Sequence, residues 1–381
     1  MNTSECKLII DSVKARELLI RLVEIPGVTG DESKACEYLA RALPAYGWDD
    51  ARIDAVGNVI AGRGNGDREI ILMGHIDTVA GGPSFRLEEA PDGRGEILWG
   101  RGSVDARGPL CAFAVAGGAA VVPDGWRLIF IAAVGEEGDS RGARHVIPLY
   151  SPKACVIGEP SGTSGITIGY RGHLRIQLSA GDGGAHRSGD AGPATACLLA
   201  ASDVLREIQR RDNAAKPVIE RPSGAVITME GGEESTGRTG MVDLDVRLPL
   251  GADPEVWSAE LLEIANEHFR CRHVPHGNEI NTKRVFSAQC VSSIPAHVSD
   301  KNNRLATALR GAIREAGFAP RLLVKGGTAD FNLAAAWQCP VAAYGPGDSK
   351  LDHTDKERVS VSEYLTAASI LKNALEMFMG V

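Results

Sequence analysis

Residues 68–79 read REIILMGHIDTV. Four consecutive apolar side chains, Ile70 to Met73, mark a short strand buried on both faces, the kind found in a mostly parallel sheet covered by helices. Such a strand ordinarily finishes in a turn of Gly, Asn or Ser. This one finishes in His75 and Asp77, which emerge on the same side of an extended chain, with Gly74 leaving space beside them. Two titratable groups where a core strand surfaces call for a chemical reason.

The neighbouring sequence supports the sheet. SVKARELLIRLVEI (12–25) and DESKACEYLARAL (31–43) carry apolar residues at helical spacing, while RLIFIAAV (127–134) and ACVIG (154–158) are further short apolar runs. RGPLCAFAVAGGAAVV (107–122) reads as a small-residue helix packed closely on the sheet. The expected class is therefore α/β. Beyond residue 165 the pattern changes: ITIGYRGHLRIQLSAG (166–181) alternates apolar and polar, as a strand with one wet face does. A helix over 194–211, strands over 224–232 and 240–250, a helix over 253–269 and a strand around 279–286 follow. Together they predict an antiparallel sheet with two helices, a smaller α+β domain. Past about residue 290 the first style returns, closing on the amphipathic helix VSEYLTAASILKNALEMF (361–378). The expected organisation is a large α/β domain built from residues 1–164 and 289–381, with a small domain, 165–288, inserted into it.

Composition narrows the chemistry. The chain has 381 residues, of which 44% are hydrophobic and 24% charged, enough for a sizeable core. The formal net charge is −8, from 41 basic and 49 acidic residues, with no basic run, which argues against nucleic acid as a partner. No stretch nears the roughly 18 consecutive apolar residues of a membrane span, and the N-terminus lacks the form of a signal peptide. A cytoplasmic protein is expected. Eight cysteines, scattered without a CxxC pair, suit reduced thiols rather than a disulfide framework or a cysteine zinc site.

Further acids and a second histidine stand where strands end or Gly-rich turns begin: Asp105 in GRGSVDARGPL, Glu136 and Glu137 in AAVGEEGDSRGA, Glu159 in VIGEPSG and His353 in GPGDSKLDHTDKE. Ligands of open α/β sheets bind at the carboxyl ends of strands, so these residues can converge with His75 on one rim. Two histidines and three carboxylates without cysteine suit a pair of divalent, zinc-like ions with open positions. The three carboxylates offset three of the four positive charges, and one hydroxide closes the balance. One acid is then left over as a general base beside an activated water. Glu136 and Glu137 are adjacent, so one can face a metal and the other the water. Asp77 is placed to accept the second ring N–H of His75.

Taken singly, each residue has a plainer role: a histidine at a strand end usually packs or hydrogen-bonds, and an EEG turn is commonly solvated. GRGSVDARG lacks both the ending of a P-loop and the spacing of a dinucleotide fold. It is the joint order that points to metal chemistry.

In that order the chain resembles the co-catalytic zinc amidohydrolases and exopeptidases that include acetylornithine deacetylase, succinyl-diaminopimelate desuccinylase and carboxypeptidase G. The resemblance spans essentially the whole chain, and it implies two zinc ions, cobalt being a possible substitute. His75, Asp105 and Glu159 resemble one zinc site, and His353, Glu137 and the shared Asp105 the other. Asp77 resembles the orienting acid of the family's HxD motif, and Glu136 the general base of its EE pair. His186, in GGAHRSG where the family tends to have HSS, resembles the histidine that reaches the carbonyl oxygen in the transition state, often from a partner subunit. The inserted domain would be a lid and the usual site of homodimerisation.

Within that family the flanks GRGSVDARGPLCAF, IGEPSGTSGITIGYRG, GGTADFN and YGPGDSKLDHTDKE resemble most the hydrolases that release lysine or ornithine from an amino-group carrier protein. The implied reaction frees a basic amino acid from such a carrier or from a small N-acyl group. A dipeptidase, a desuccinylase or a hydrolase of a specialised carrier-bound intermediate is the alternative, and a non-catalytic binding protein on the same fold a remote one. Gly327 and Thr328 can offer backbone and hydroxyl groups to a substrate α-carboxylate, Asp330 can meet a cationic amine, and Arg247 is a second carboxylate candidate. An acidic carrier would need a local basic patch, for which Arg101, Arg107, Arg171 and Arg175 are candidates.

Overall fold

In a computed structural model, which describes residues 10–91, 93, 95–184, 191–234, 237–271 and 285–381, the 68–79 run forms strand Arg68–His75 with Ile70 to Met73 fully buried. The strand sits inside a mixed sheet, nine-stranded among the described residues, that runs in the order Asp49–Ile53, Val59–Gly64, Trp126–Ala133, Arg68–His75, Ala154–Gly158, Val341–Tyr344, Gly165–Tyr170, His297–Val298, with Arg321–Lys325 also paired to Gly165–Tyr170. The four strands from Trp126–Ala133 to Val341–Tyr344 run parallel, whereas Asp49–Ile53 with Val59–Gly64, Val59–Gly64 with Trp126–Ala133, and Val341–Tyr344 with Gly165–Tyr170 are antiparallel pairs. In the register His75 lies beside Ala133, Gly74 beside Gly158, and Gly158 beside Tyr344. The segments after these strands therefore leave the sheet along one edge. Gly74 and Gly158 make that close pairing possible: a Cβ on Gly158 would lie 3.2 Å from the Gly74 Cα.

Helix Arg107–Ala119 is buried along nearly its whole length, which its Ala, Gly and Cys residues permit. Trp48 packs against it and donates its indole N–H to the Ala114 carbonyl at 2.7 Å. Helices Ser12–Glu24 and Val361–Met379 pack on the same helix. Each begins with a side-chain cap, Asp11 accepting from Val13 and Lys14 and Ser360 from Glu363, an arrangement that typically contributes about 1 kcal/mol. The core takes apolar residues from both ends of the chain, from Leu18, Leu19 and Leu22 to Leu371, Leu375 and Phe378.

Strands Asp49–Ile53 and Val59–Gly64 of the main sheet lay outside the sequence expectation, and so did a second small sheet. Strands Arg86–Glu89, Glu96–Trp99 and Arg358–Ser360 form a small separate antiparallel sheet. Its last strand follows His353 by five residues.

By internal packing the chain divides into two units, one of residues 1–169, 299–324 and 329–381, the other of 170–298 and 325–328. The second unit holds a four-stranded antiparallel sheet in the order Ser223–Glu234, Gly237–Leu248, Gly172–Asp182, Val285–Ile294. The alternation read over 166–181 is resolved into two strands, Gly165–Tyr170 and Gly172–Asp182. Leu174, Ile176 and Leu178 pair with Val246, Leu244 and Val242, and all six are buried against helices Gly192–Arg211 and Pro254–Cys271. Of the strand expected around 279–286, Val285 and Phe286 lie in strand Val285–Ile294; residues 279–284 lie outside the described residues.

The fold is thus an α/β unit with a mostly parallel central sheet and a smaller unit with an antiparallel sheet and two helices. Cys36, Cys111, Cys155, Cys197, Cys290 and Cys339 are free thiols. Among the described residues no helix is long and apolar enough to cross a membrane.

Candidate metal centre

Three of the parallel strands deliver side chains to one place. His75 ends strand Arg68–His75, Glu136 and Glu137 follow Trp126–Ala133, and Glu159 follows Ala154–Gly158. Asp105 precedes the buried helix Arg107–Ala119, and His353 lies in the segment after strand Val341–Tyr344. His353 has φ +58°, a left-handed backbone that is uncommon for a non-glycine residue.

Asp105 stands between the two histidines. Its Oδ1 is 3.2 Å from His75 Nε2, and its Oδ2 is 3.1 Å from His353 Nε2. The same nitrogen of His353 lies 2.9 Å from Glu137 Oε1, and His75 Nε2 lies 4.0 Å from Glu159 Oε1. His75, Asp105 and Glu137 each offer a ligand atom within 4.8 Å of the others. This donor set fits divalent metal: imidazole nitrogens and carboxylate oxygens, no thiolate, and one carboxylate presenting an oxygen to each side.

The electrostatics describe a place that wants positive charge. Burial alone would depress the His75 ring, but hydrogen bonds to Asp105 and Asp77 and the charge of Glu136 outweigh it and hold the ring well above its ordinary pKa. Hydrogen bonds to Asp105 and Glu137 raise His353 to about 10. Burial would raise Asp105; its bonds to His353 and His75 instead hold it well below the carboxylate range. In the metal-free protein, ring protons supply the charge that a dication would bring.

Glu136 differs from its neighbours. Burial, together with the negative charges of Asp330, Glu159 and Glu137, pushes its carboxyl well above the ordinary value, against the opposing pull of His75. A carboxylate raised in this way holds a proton more readily than an ordinary glutamate, as a general base must.

Asp77 is fully buried, and its position differs in detail from the expectation. His75 Nδ1 lies 3.0 Å from the Asp77 backbone carbonyl and 3.6 Å from its carboxylate. The carboxylate accepts the backbone N–H of Glu136 on Oδ1 and that of Glu137 on Oδ2, both at 3.1 Å, and the Thr29 hydroxyl on Oδ2 at 2.8 Å. Asp77 thus fixes the turn that carries both glutamates.

The remaining candidates fall in both units. Asp330 is buried, its Oδ1 has no hydrogen-bond partner, and burial pushes its carboxyl up to about 7 against a hydrogen bond from Ser140. Arg247, Gly327 and Thr328 belong to the second unit. Arg247 pairs through Nε with Asp245 at 3.0 Å, and its terminal nitrogens meet no described acceptor. Thr328 donates its hydroxyl to the Arg171 carbonyl at 2.9 Å, and Gly327 is exposed with open space at its Cα. His186 lies outside the described residues.

Each of the four arginines offered for a basic patch has partners within its own unit. Arg107 is buried and donates to the carbonyls of Ile76 at 2.8 Å, Leu22 at 2.7 Å, Ile25 and Gly27. It ties the continuation of the His75 strand to the first helix. Arg101 pairs with the buried Glu357, Arg175 with Asp243, and Arg171 donates to the carbonyls of Gly326 and Arg221.

Sequence reasoning missed Glu357 and Thr29. Glu357 is fully buried, and its Oε1 accepts the backbone N–H groups of Val104 and Asp105. A charged residue ending the DHTDKE run was the available signal, though nothing local marks its partner.

An α/β sheet with paired histidines and a surplus of acids at the carboxyl edge of its parallel strands defines a metal-dependent amide hydrolase. The chain belongs to peptidase family M20/M25/M40, whose model matches residues 71–377. It is 33% identical over 379 residues to a LysW-lysine hydrolase of Deinococcus radiodurans, with 97% of this chain and 98% of that protein covered. It is 28% identical over 366 residues to a LysW-lysine/LysW-ornithine hydrolase of Sulfurisphaera tokodaii, covering 95% of each. Among solved structures, the dipeptidase Dug1p of Saccharomyces cerevisiae shares the fold with a TM-score of 0.77 at 16% identity, covering 98% of this chain and 97% of that one. The metallo-carboxypeptidase Sso-CP2 of Sulfolobus solfataricus does so with a TM-score of 0.73 at 15% identity, covering 96% and 99%.

Proposed function

We propose that this enzyme is a di-zinc hydrolase that releases lysine or ornithine from an amino-group carrier protein. The observation that carries the two-ion reading is Asp105, whose two carboxylate oxygens each face a different histidine at 3.2 and 3.1 Å. His75, Asp105 and Glu159 would hold one ion, and His353, Glu137 and Asp105 the other, with cobalt able to replace zinc. The substrate reading draws on the relatives, whose names give LysW-bound lysine or ornithine as what those proteins act on.

When bound, the ions would supply Lewis acidity, lowering the pKa of a water and polarising the amide carbonyl. Glu136 takes the proton from the attacking water and hands it to the departing amine, so the products are a carboxylate and a free amine. Asp77 keeps Glu136 in place through its backbone N–H. His186 would donate to the oxyanion of the tetrahedral intermediate. Arg247, with Gly327 and Thr328, would receive the α-carboxylate of the amino acid; the terminal nitrogens of Arg247, which meet no acceptor among the described residues, suit that bidentate task.

The reading includes a homodimer in the cytoplasm. Strand Ser223–Glu234 lies at one end of its sheet's strand order, and Val226, Ile227 and Met229 on it are exposed, as an edge that awaits a second copy would be.

A substrate panel tests the function: carrier-linked lysine and ornithine, N-acetyl-lysine, N-acetyl-ornithine, succinyl-diaminopimelate and simple dipeptides. The highest kcat/KM is expected on a carrier-linked amino acid. A dipeptide or succinyl-diaminopimelate turned over best would replace the substrate proposed here.

A further inference from the structure

His75 and His353 each share a short segment with a fully buried acid, Asp77 two residues on and Glu357 four residues on. Neither acid has a carboxylate oxygen left to face solvent. Asp77 grips the backbone N–H groups of Glu136 and Glu137. Glu357 grips those of Val104 and Asp105 through Oε1, at 3.0 and 3.1 Å, while its Oε2 accepts from Arg101 at 2.5 Å. Arg101 is itself held by the Gly81 carbonyl, to which its Nε donates at 3.2 Å.

The two grips interlock. The His75 segment, through Asp77, fixes Glu137; Glu137 touches His353; the His353 segment, through Glu357, fixes Asp105; and Asp105 touches His75. Six side chains from four segments far apart in sequence thereby form a closed ring, and each link is either a charge-assisted hydrogen bond to backbone or a meeting of two proposed ligands.

We propose that Glu357 is a positioning residue for the metal centre: it sets the backbone of Asp105 so that one oxygen is presented to each ion, and it couples that setting to the position of His353. A carboxylate that accepts backbone N–H groups in a buried place is held both in distance and in direction, because charge-assisted bonds are short and strong and an unpaired buried acid would be costly. The role differs from that of Asp77, since Asp105 belongs to both ion sites and a slack Asp105 loosens both. Loss of such a supporting partner typically weakens metal affinity by about 10–100-fold.

This inference rests on the two-ion reading of the site, and the test keeps the two apart. Wild-type protein, Glu357→Ala and Glu357→Gln are stripped of metal, and zinc is titrated against a chromophoric chelator. The visible spectrum of the cobalt-loaded forms is recorded, with thermal melting of the metal-free forms as a control for folding. Glu357→Ala is expected to bind both ions at least about tenfold more weakly and to show an altered cobalt spectrum. Glu357→Gln keeps the shape and an acceptor oxygen for the two N–H groups but loses the ion pair with Arg101, and it is expected to fall between wild type and Glu357→Ala. If the alanine variant does not fold, the glutamine variant decides alone. Wild-type affinity and spectrum in the folded variants overturn the positioning role, whereas a wild-type protein that binds fewer than two ions overturns the metal reading on which it rests.

Discussion

The carboxylate of Asp77 holds the backbone of Glu137: its Oδ2 accepts the Glu137 N–H at 3.1 Å, while its Oδ1 accepts that of Glu136 at the same distance. A residue two positions beyond His75 thus sets the turn that carries both the proposed base and a proposed ligand.

Replacing Asp77 with Asn keeps one acceptor oxygen and turns the other into a donor facing an N–H. One of the two grips is lost, and the charge that supports His75 is lost with it. The variant is expected to retain its fold and to lose about 10–100-fold in kcat, with a weaker effect on KM. Steady-state kinetics with parallel metal analysis reads this directly. An unchanged kcat would mean that the turn needs no such support.

Metal binding should depend on pH over an unusual range. His353 is raised to about 10 and His75 also lies well above the ordinary histidine value, so in metal-free protein both rings carry protons at neutral pH. An ion binds the neutral ring and must displace those protons. Affinity should therefore keep rising with pH from 6 to 9, instead of levelling above about 7 as it would for ordinary imidazoles. Chelator competition at four pH values checks the slope, and calorimetry in buffers of different ionisation enthalpy counts the protons released.

Asp330 gives a stability signature. Its carboxyl is pushed from 3.8 to about 7 on folding, chiefly by burial. Below the lower value both folded and unfolded chains hold the proton; between the two values only the folded chain does. Stability of the metal-free protein should thus fall as pH rises through that window, because the unfolded state binds fewer protons there. Asp330→Asn keeps an acceptor for Ser140 and removes the ionisation. Its Tm gain over the parent is expected to be larger at pH 8 than at pH 4. An equal gain at both values would show that burial does not hold the proton on Asp330.

Much of this arrangement was legible in the sequence, for a physical reason. A buried parallel strand is a short apolar run, so the polar residue that ends it stands out; His75 and Glu159 were visible in that way, and Glu136 and Glu137 by their Gly-flanked turn. The alternation of Gly172–Asp182 likewise separated the second unit, since its sheet buries one face only. Glu357 was not legible, because its partners are backbone N–H groups about 250 positions earlier, which leave no pattern in side-chain types. Arg107 was misread as surface for a related reason: its four carbonyl acceptors come from the residues after the His75 strand and from the segment closing the first helix, and only the folded chain brings them together. The small sheet that includes Arg358–Ser360 was missed because three- and four-residue strands carry too little periodicity to read.

The most direct measurement is Glu136→Gln, assayed for metal content and for turnover of carrier-linked lysine in the same preparation. Glu136 is adjacent to Glu137 but is not among the proposed ligands, so the variant should hold two ions per chain as wild type does. Its kcat should fall by roughly 10²–10⁴-fold, the range that a positioned general base contributes. A Glu136→Gln protein with full metal and a near-normal rate would contradict the account.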